Sequence, residues 1–312
     1  MFDLNFLGLS LFSFAGAIEI GLIYSLVALG VFISFRILDF PDLTVDGSFP
    51  LGGAVGAVMI VLGFNPFTAC LGAIVAGCLA GLVTAWLNVK LNILPLLASI
   101  LVMTALYSVN LRIMGGPNIP LLNQESVFSL ANIFGMKEFL FKPIFLLVVV
   151  IIVKILIDYF FKSNLGLAIR ATGVNAKMAR AHGVNTNITV LLGMAISNGL
   201  VALAGALFVQ SNGSANDSMT GTIVIGLAAV ILGENLLPGR RLWITTLAVI
   251  VGAVVYRIFV ALALNASFLP KFLQLQAQDL SLITAFLVAV ALVLPQLKIK
   301  SKLALLFKSS KG

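Results

Sequence analysis

Hydrophobic and polar positions alternate on a long scale in this sequence, with apolar runs of 16 to 25 residues separated by short polar stretches. A helix needs about 20 mostly apolar residues to cross the hydrocarbon core of a bilayer. The pattern therefore predicts an all-α polytopic membrane protein with about nine transmembrane helices. The predicted spans are 12–34, 48–63, 66–89, 91–112, 143–161, 186–210, 221–236, 242–265 and 279–297.

Composition agrees with this pattern. Hydrophobic residues make up 61% of the 312 residues and charged residues only 10%, whereas a soluble globular domain carries about 25% charged residues. A soluble enzyme and a disordered chain are both excluded, since neither tolerates so much apolar sequence. The longest segments between spans are 113–142 and 162–185, so we predict one transmembrane domain over residues 1–312, surrounded by membrane lipid.

Lysine and arginine are distributed unevenly between alternate loops. If the C-terminus is cytoplasmic, 13 of them lie in or next to inside loops and 3 in outside loops. Cytoplasmic loops carry the excess of basic residues in membrane proteins. The C-terminus is therefore predicted to be cytoplasmic and, with nine spans, the N-terminus outside. The net charge of +8 follows from this topology, and no nucleic-acid partner is expected.

Two parts of the sequence resemble each other at a constant offset of 174 residues. Residues 26–29 and 200–203 both read LVAL, and Gly47 and Gly52 match Gly221 and Gly226. The two shortest spans, 48–63 and 221–236, fall at corresponding positions. Five spans separate each element from its counterpart, so the copies run in opposite directions. This pattern predicts an inverted repeat with short or broken helices, with halves at about 12–112 and 186–297.

An acidic segment between the first two spans is interrupted by proline. Pro41 and Pro50 break the helical hydrogen-bond ladder, and non-helical backbone at membrane depth is tolerated only against protein or a water-filled cavity. We expect this segment and the repeat glycines to line a pathway. The expected pathway-lining residues are Asp39, Asp42, Asp46, Gly47, Gly52, Gly221 and Gly226. The alternative is a short cytoplasmic loop in which Asp39 and Asp42 pair with Arg36.

The loop at 162–185 is basic and rich in alanine and glycine. Small side chains allow a short helix to fit closely against another protein. Gly173 with Asn175, and Gly183 with Asn185, are typical of helix ends and caps. We predict a compact helical docking surface for a soluble partner. Its predicted residues are Arg170, Ala171, Gly173, Asn175, Ala179, Arg180, Gly183 and Asn185.

Two charged residues are predicted to lie deep in the membrane. Glu19 and Arg257 are each about 10–12 Å from the outer ends of their spans at 1.5 Å per residue. Isolated charges at such depth are costly, so the sequence predicts a buried Glu19–Arg257 ion pair, with Arg112 as the rival partner of Glu19.

Sequence motifs for catalysis are missing. The sequence contains no GxxxxGK[ST], HExxH or GxSxG motif and no histidine or cysteine cluster. We predict no catalytic residue, no metal site and no cofactor. The polar residues are typical of a translocation pathway.

These segments together resemble the permease subunits of ABC importers of the branched-chain amino-acid type. In that family a cytoplasmic loop of pattern RAxGxNxxxAxxxGxN docks on the ATPase, and residues 170–185 match it. A later glycine-rich stretch departs from the family, since Glu234 follows Gly233 where a second glycine is usual. The sequence DFPDLTVDG at 39–47 is similar to a distinct branch associated with tryptophan, tyrosine or related small solutes.

The resemblance implies partners and a location. It implies two permease chains as a homodimer, ABC ATPase subunits beneath them, and an extracytoplasmic binding protein that delivers an amino acid or similar small organic solute. The location would be the bacterial cytoplasmic membrane. ATP hydrolysis would lie on the separate ATPase, so the permease is not itself an enzyme. The alternative function is an ion-coupled secondary transporter that uses the acidic segment Asp39–Asp46.

Overall fold

The computed structural model describes residues 11–122, 124–129, 138–216, 221–239, 241–264 and 289. The predicted helical class is confirmed, because most of these residues are helical. The helices are α1 (Leu11–Val31), α2 (Val45–Val61), α3 (Pro66–Leu91), α4 (Pro95–Met114), α5 (Glu138–Phe160), α6 (Asn164–Val174), α7 (Ala176–Ala181), α8 (Thr186–Asn212), α9 (Thr222–Leu236) and α10 (Leu242–Leu264). A π-helix, Phe32–Ile37, continues α1, and a 3₁₀ turn covers Val127–Ser129.

Six helices in the described residues are long and apolar enough to cross a membrane, namely α1 with its π-helical end, α3, α4, α5, α8 and α10. The apolar helices α2 and α9 have 17 and 15 residues, and they correspond to the two shortest predicted spans. Eight of the nine predicted spans therefore coincide with helices. The ninth, 279–297, lies outside the described residues, so the number nine stays a prediction.

Local sequence signals define the helix ends. Asn65 accepts a hydrogen bond from the Phe67 backbone N–H and so caps α3, and Pro66 occupies its first turn, where its missing N–H costs nothing. Gly115 and Gly213 end α4 and α8 with φ of 68° and 74°. This left-handed conformation is free of Cβ strain only for glycine.

The long helices pack in two pairs. α3 lies along α8, and α10 lies along α1. Adding 174 to the residue numbers of α1, α2 and α3 gives approximately those of α8, α9 and α10, so the two pairs correspond to each other. The short helices correspond as well, because α2 packs against α8 and α9 against α1. An inverted repeat requires correspondences of this kind, and the repeat itself stays a prediction.

Matching glycines lie at the two short-helix crossings. A Cβ on Gly52 of α2 would overlap the carbonyl oxygen of Ala202 in α8, and a Cβ on Gly226 of α9 would lie 2.8 Å from Cγ2 of Val31 in α1. Close backbone approach of this kind requires glycine. Gly52 and Gly226 differ by 174, so the repeat glycines pack helices together at corresponding places.

One end of the helix bundle carries a two-stranded antiparallel sheet. Strand β1 (Asn118–Pro120) pairs with β2 (Ser214–Asn216), with Ile119 opposite Ala215. Gln210 Oε1 accepts a hydrogen bond from the Val127 backbone N–H at 2.9 Å. The segment after α4 is thereby fastened to the end of α8.

The expected Glu19–Arg257 pair is not among the salt bridges of the described residues, and this corrects the sequence prediction. Glu19 instead accepts a hydrogen bond from Ser211 Oγ at the end of α8. The Arg257 guanidinium carbon lies 5.5 Å from the ring centroid of Tyr24, a cation–π arrangement. A hydroxyl and an aromatic ring thus supply the polar neighbours that the ion pair was expected to supply.

Candidate functional site

The N-termini of the short helices α2 and α9 meet at Asp46. Oδ1 of Asp46, in the first turn of α2, accepts hydrogen bonds at 2.8 Å from Thr222 Oγ1 and from the Ile223 backbone N–H, both in the first turn of α9. A carboxylate at a helix N-terminus interacts favourably with the helix dipole. One side chain therefore fixes the beginnings of both short helices.

Asp42 has a different role. Its side chain is fully buried, with Oδ1 accepting from the Thr44 backbone N–H at 2.9 Å and Oδ2 from Asn198 Nδ2 at 2.8 Å. Asn198 Oδ1 in turn accepts from Ser48 Oγ at 2.7 Å. Because Asn198 lies near the middle of α8, this network places the start of α2 about halfway along a membrane-spanning helix.

A cavity of about 230 Å³ lies beside this junction, between α2 and α4. Asn110 is 1% exposed, and its Nδ2 donates to the Gly47 carbonyl oxygen at 3.3 Å. Its Oδ1 is buried and has no hydrogen-bond partner among the described residues. The lining residues are Asp46, Gly47, Pro50, Met103, Thr104, Tyr107 and Asn110.

The other residues expected to line the pathway lie in turns or in helix crossings. Asp39 is exposed and has φ of 54°, and Gly221 begins α9 with φ of 84°, so both shape turns. Gly52 and Gly226 lie in tight helix crossings. Of the seven expected residues, the structure thus brings only Asp46 and Gly47 to the cavity beside the junction.

Arg36 pairs with neither aspartate of the alternative interpretation. Its Nε lies 2.8 Å from Oε1 of Glu234, which joins the end of the π-helix to the last turn of α9. Glu234 is the residue that departs from the family pattern. A cavity of about 610 Å³ opens beside this pair, with Arg170 and Val174 of α6 also on its wall.

The predicted docking segment forms two short helices joined by caps. Asn175 Oδ1 accepts from the Met178 backbone N–H at 3.0 Å and begins α7. Asn185 Oδ1 accepts from the Asn187 and Ile188 backbone N–H groups and begins α8. Gly183 ends α7 with φ of 83°. The predicted caps at Asn175 and Asn185 and the stop at Gly183 are present.

Gly173 differs from that expectation because it lies inside α6 and does not end it. A Cβ at this position would overlap the carbonyl oxygen of Ile37, the last residue of the π-helix. Its missing side chain therefore allows α6 to contact the π-helix directly. Arg180 is also used within the chain, since its Nη2 donates to Thr186 Oγ1 at 2.7 Å.

The solvent-exposed surface of α6 and α7 is largely apolar. Val174 is 88% exposed and Met178 59%, and both line a shallow groove of about 530 Å³ together with Arg170, Ala171 and Asn175. We call this surface the docking face; Ala179, which also borders the groove, is buried. Exposed apolar side chains rimmed by polar ones are typical of protein interaction sites.

Sequence reasoning missed the two asparagines at the centre of the site. Asn110 and Asn198 each lie inside an apolar span, and a polar residue inside a span is a signal of function or pairing. Within the described residues, no group of three or more histidine, cysteine or acidic side chains is placed to hold a metal ion.

Comparison with known proteins agrees with this architecture. The family described as branched-chain amino acid transport system, permease component, matches residues 13–294. The chain is 41% identical over 283 residues to a tyrosine transport system permease protein of Clostridioides difficile (strain R20291), covering 90% of each chain. It is 30% identical over 216 residues to the galactofuranose transporter permease protein YtfT of Escherichia coli (strain K12), covering 69% of this chain and 61% of that one.

A solved ABC transporter of the metal-chelate type, in an inward-facing conformation, shares the fold with a TM-score of 0.50 and 17% identity. The similarity covers 95% of this chain and 89% of that one. In the family that matches residues 13–294, ATP hydrolysis belongs to a separate subunit, so this chain is a transport component and not an enzyme, and the ion-coupled alternative is set aside. The chain belongs to the branched-chain amino-acid-type family of ABC transporter permeases, multi-pass proteins of the bacterial inner membrane that carry small solutes.

Proposed function

We propose that this chain is the permease of an ATP-driven importer for an amino acid, with an aromatic amino acid as the first candidate. The observation that carries the substrate class is the 41% identity, over 90% of both chains, to a protein named for tyrosine transport. The Asp39–Gly47 sequence, which resembles the branch for tryptophan, tyrosine or related solutes, supports the same class.

The docking face is proposed as the ATPase contact. Its exposed apolar side chains, among them Val174 and Met178, lie on two short capped helices between α5 and α8. The residues proposed to make or support this contact are Arg170, Ala171, Gly173, Asn175, Ala179, Arg180, Gly183 and Asn185. Arg180 and Gly173 act within the chain, by holding Thr186 and by allowing the π-helix contact.

The pathway is proposed to pass the junction at Asp46. Short helices whose N-termini meet near the membrane midplane are a recurring feature of transporters built from inverted repeats. Closure of the ATPases would move α6, which contacts the π-helix at Ile37, and the π-helix leads directly into the acidic segment. Differential stabilisation of an outward-open and an inward-open state then drives transport.

A second copy of the permease and an extracytoplasmic binding protein complete the proposed assembly. α4 and α5 expose apolar side chains along most of their length, including Leu101, Ile152 and Leu156. These surfaces are available to lipid and to a second chain. The C-terminus is proposed to be cytoplasmic, on the side of the basic loops.

Reconstitution tests the proposed function. The permease is purified with its associated ATPase, placed in proteoliposomes and supplied with its binding protein outside. We expect radiolabelled L-tyrosine to accumulate in the vesicles only when ATP is enclosed with the ATPase in the vesicle lumen. Vesicles that lack the ATPase but carry a proton or sodium gradient are the control, and uptake in that control would contradict the importer assignment.

A further inference from the structure

The cavity between α2 and α4 has a mostly apolar wall that carries a few hydrogen-bond acceptors. It measures about 230 Å³ and is lined by an aspartate and an asparagine but by no lysine or arginine. A buried acceptor without a donor is costly, and a carboxylate in a partly buried place favours a cationic neighbour. The cavity therefore has the chemistry of a site for a cationic donor.

The side-chain oxygen of Asn110, and not its nitrogen, is the atom without a hydrogen-bond partner among the described residues. Its Nδ2 donates to the Gly47 carbonyl oxygen, and a flipped amide would place two acceptor oxygens against each other. Oδ1 is consequently left as a buried acceptor on the cavity wall with no partner among the described residues. A ligand with an N–H group satisfies it.

Asp46 supplies two more acceptors beside the same cavity. Both hydrogen bonds from the described residues, those of Thr222 and Ile223, go to its Oδ1, which leaves Oδ2. Pro50 has no N–H, so the main-chain carbonyl of Asp46 lacks the i+4 donor of a regular helix. A group with three N–H donors and one positive charge matches this set.

We propose that this cavity is a solute-binding subsite that holds the primary ammonium group of the transported molecule between Asp46 and Asn110. Met103 and the Tyr107 ring on the same wall accommodate carbon atoms next to the ammonium group, and an aromatic ring also attracts a cation. The identification of that molecule as an amino acid rests on the proposed function. The subsite itself rests on the acceptors.

Ligand-observed NMR titrations on the full-length permease with its ATPase in lipid nanodiscs test the subsite. The three probes are L-tyrosine, tyramine, which keeps the ammonium group but lacks the carboxylate, and 3-(4-hydroxyphenyl)propanoate, which lacks the ammonium group. We expect tyramine to bind at least tenfold more tightly than the propanoate. This comparison on the unmodified protein requires no variant to fold.

Substitution of Asn110 then separates ligand binding from structure. Asn110→Leu is expected to weaken binding of L-tyrosine and tyramine tenfold or more. The melting temperature should change little, because loss of the Nδ2 bond to the Gly47 carbonyl oxygen is offset by removal of a buried oxygen without a partner. The matched control is Asn88→Leu in α3, which lies outside the cavity and whose Nδ2 likewise donates to a main-chain carbonyl oxygen, that of Ile93, at 2.8 Å. It should change binding less than twofold.

Each result decides one of the two proposals. Equal binding of tyramine and the propanoate, or unchanged tyramine affinity in Asn110→Leu, overturns the subsite while ATP-dependent uptake of L-tyrosine leaves the proposed function standing. If the transporter takes up no L-tyrosine but tyramine binds in an Asn110-dependent manner, the amino-acid substrate is wrong and the ammonium subsite stands.

Discussion

Asp42 and Asp46 are four positions apart, but their carboxyl groups have different hydrogen-bond demands. Asp42 accepts from N–H groups through both oxygens, and it is fully buried. Asp46 accepts through Oδ1 only, within the described residues, and it faces a cavity. Asp42 is therefore fully used in holding the structure, whereas Asp46 caps α9 through Oδ1 and keeps Oδ2 for the proposed interaction with solute.

Substitution by asparagine should separate these roles. Asp42→Asn places an NH₂ group against another donor and should lower the free energy of unfolding by about 1–3 kcal/mol. Asp46→Asn keeps an acceptor oxygen for the cap of α9 and should leave the melting temperature nearly unchanged while uptake falls. Thermal unfolding in detergent and uptake in proteoliposomes measure the two effects. Equal loss of stability in both variants would argue against this division.

Helix crossings, at the scale of the element, depend on glycines that the sequence alone assigned to a pathway. A Cβ on Gly52 would overlap the Ala202 carbonyl oxygen, whereas no heavy atom of the described residues lies within 4 Å of a Cβ added at Gly16 in α1. The crossing of α2 and α8 thus tolerates no side chain, while the beginning of α1 does.

Gly52→Ala should force α2 away from α8 and destabilise the protein by about 1–3 kcal/mol, the usual cost of overpacking. Gly16→Ala is the matched control, and it should be neutral or slightly stabilising because alanine has the higher helix propensity. Melting temperatures of the two variants in the same detergent provide the comparison. A Gly52→Ala protein as stable as Gly16→Ala would contradict the tight crossing.

Helices and their caps were predictable from the sequence, because the signals for them lie within a few residues of each other. The apolar runs located eight of the helices, and Asn175 and Asn185 were recognisable as caps because a cap bonds to its own next turn. Contacts between distant helices were not predictable in this way. Depth from a span end suggested Glu19 and Arg257 as partners, but depth does not specify which face of a helix a side chain occupies, and Ser211 and Tyr24 lie nearer.

The hydrogen-bond partners at the junction of α2 and α9 were not predictable for the same reason, since they lie far apart in the sequence. The i, i+4 register of Asp42 and Asp46 is visible in the sequence, but the partners Asn198 and Thr222 lie 156 and 176 positions away. Asn110 showed a signal as a polar residue in an apolar span. The sequence does not show that its Oδ1 lacks a partner among the described residues, because this depends on how α2 packs against α4.

Orientation in the membrane is a property of the whole molecule, and labelling measures it. In a protein whose two cysteines, Cys70 and Cys78, are replaced by alanine, Leu122→Cys and Val174→Cys provide reporters at sites that are 78% and 88% exposed. The basic-loop distribution predicts that a membrane-impermeant maleimide labels position 122 in intact cells, and position 174 only after permeabilisation. Labelling of position 174 in intact cells would reverse the topology.

In the proposed assembly, movement of the ATPase would reach the pathway through one close contact, that of α6 with the π-helix. α6 reaches the π-helix at Ile37 because Gly173 has no side chain, while the neighbouring Val174 points outward and is 88% exposed. Contact with the ATPase and transmission of its movement should therefore be separable at adjacent residues.

Gly173→Ala should displace α6 from the π-helix while the docking face keeps its exposed side chains. We expect the ATPase to co-purify as before, but uptake per ATP hydrolysed to fall tenfold or more. Val174→Asp should instead abolish co-purification, because a carboxylate is desolvated in an apolar contact. Gly116→Ala, with nothing within 4 Å of the added carbon, should match the unmodified protein. A Gly173→Ala transporter with normal uptake would show that movement reaches Asp46 by another route.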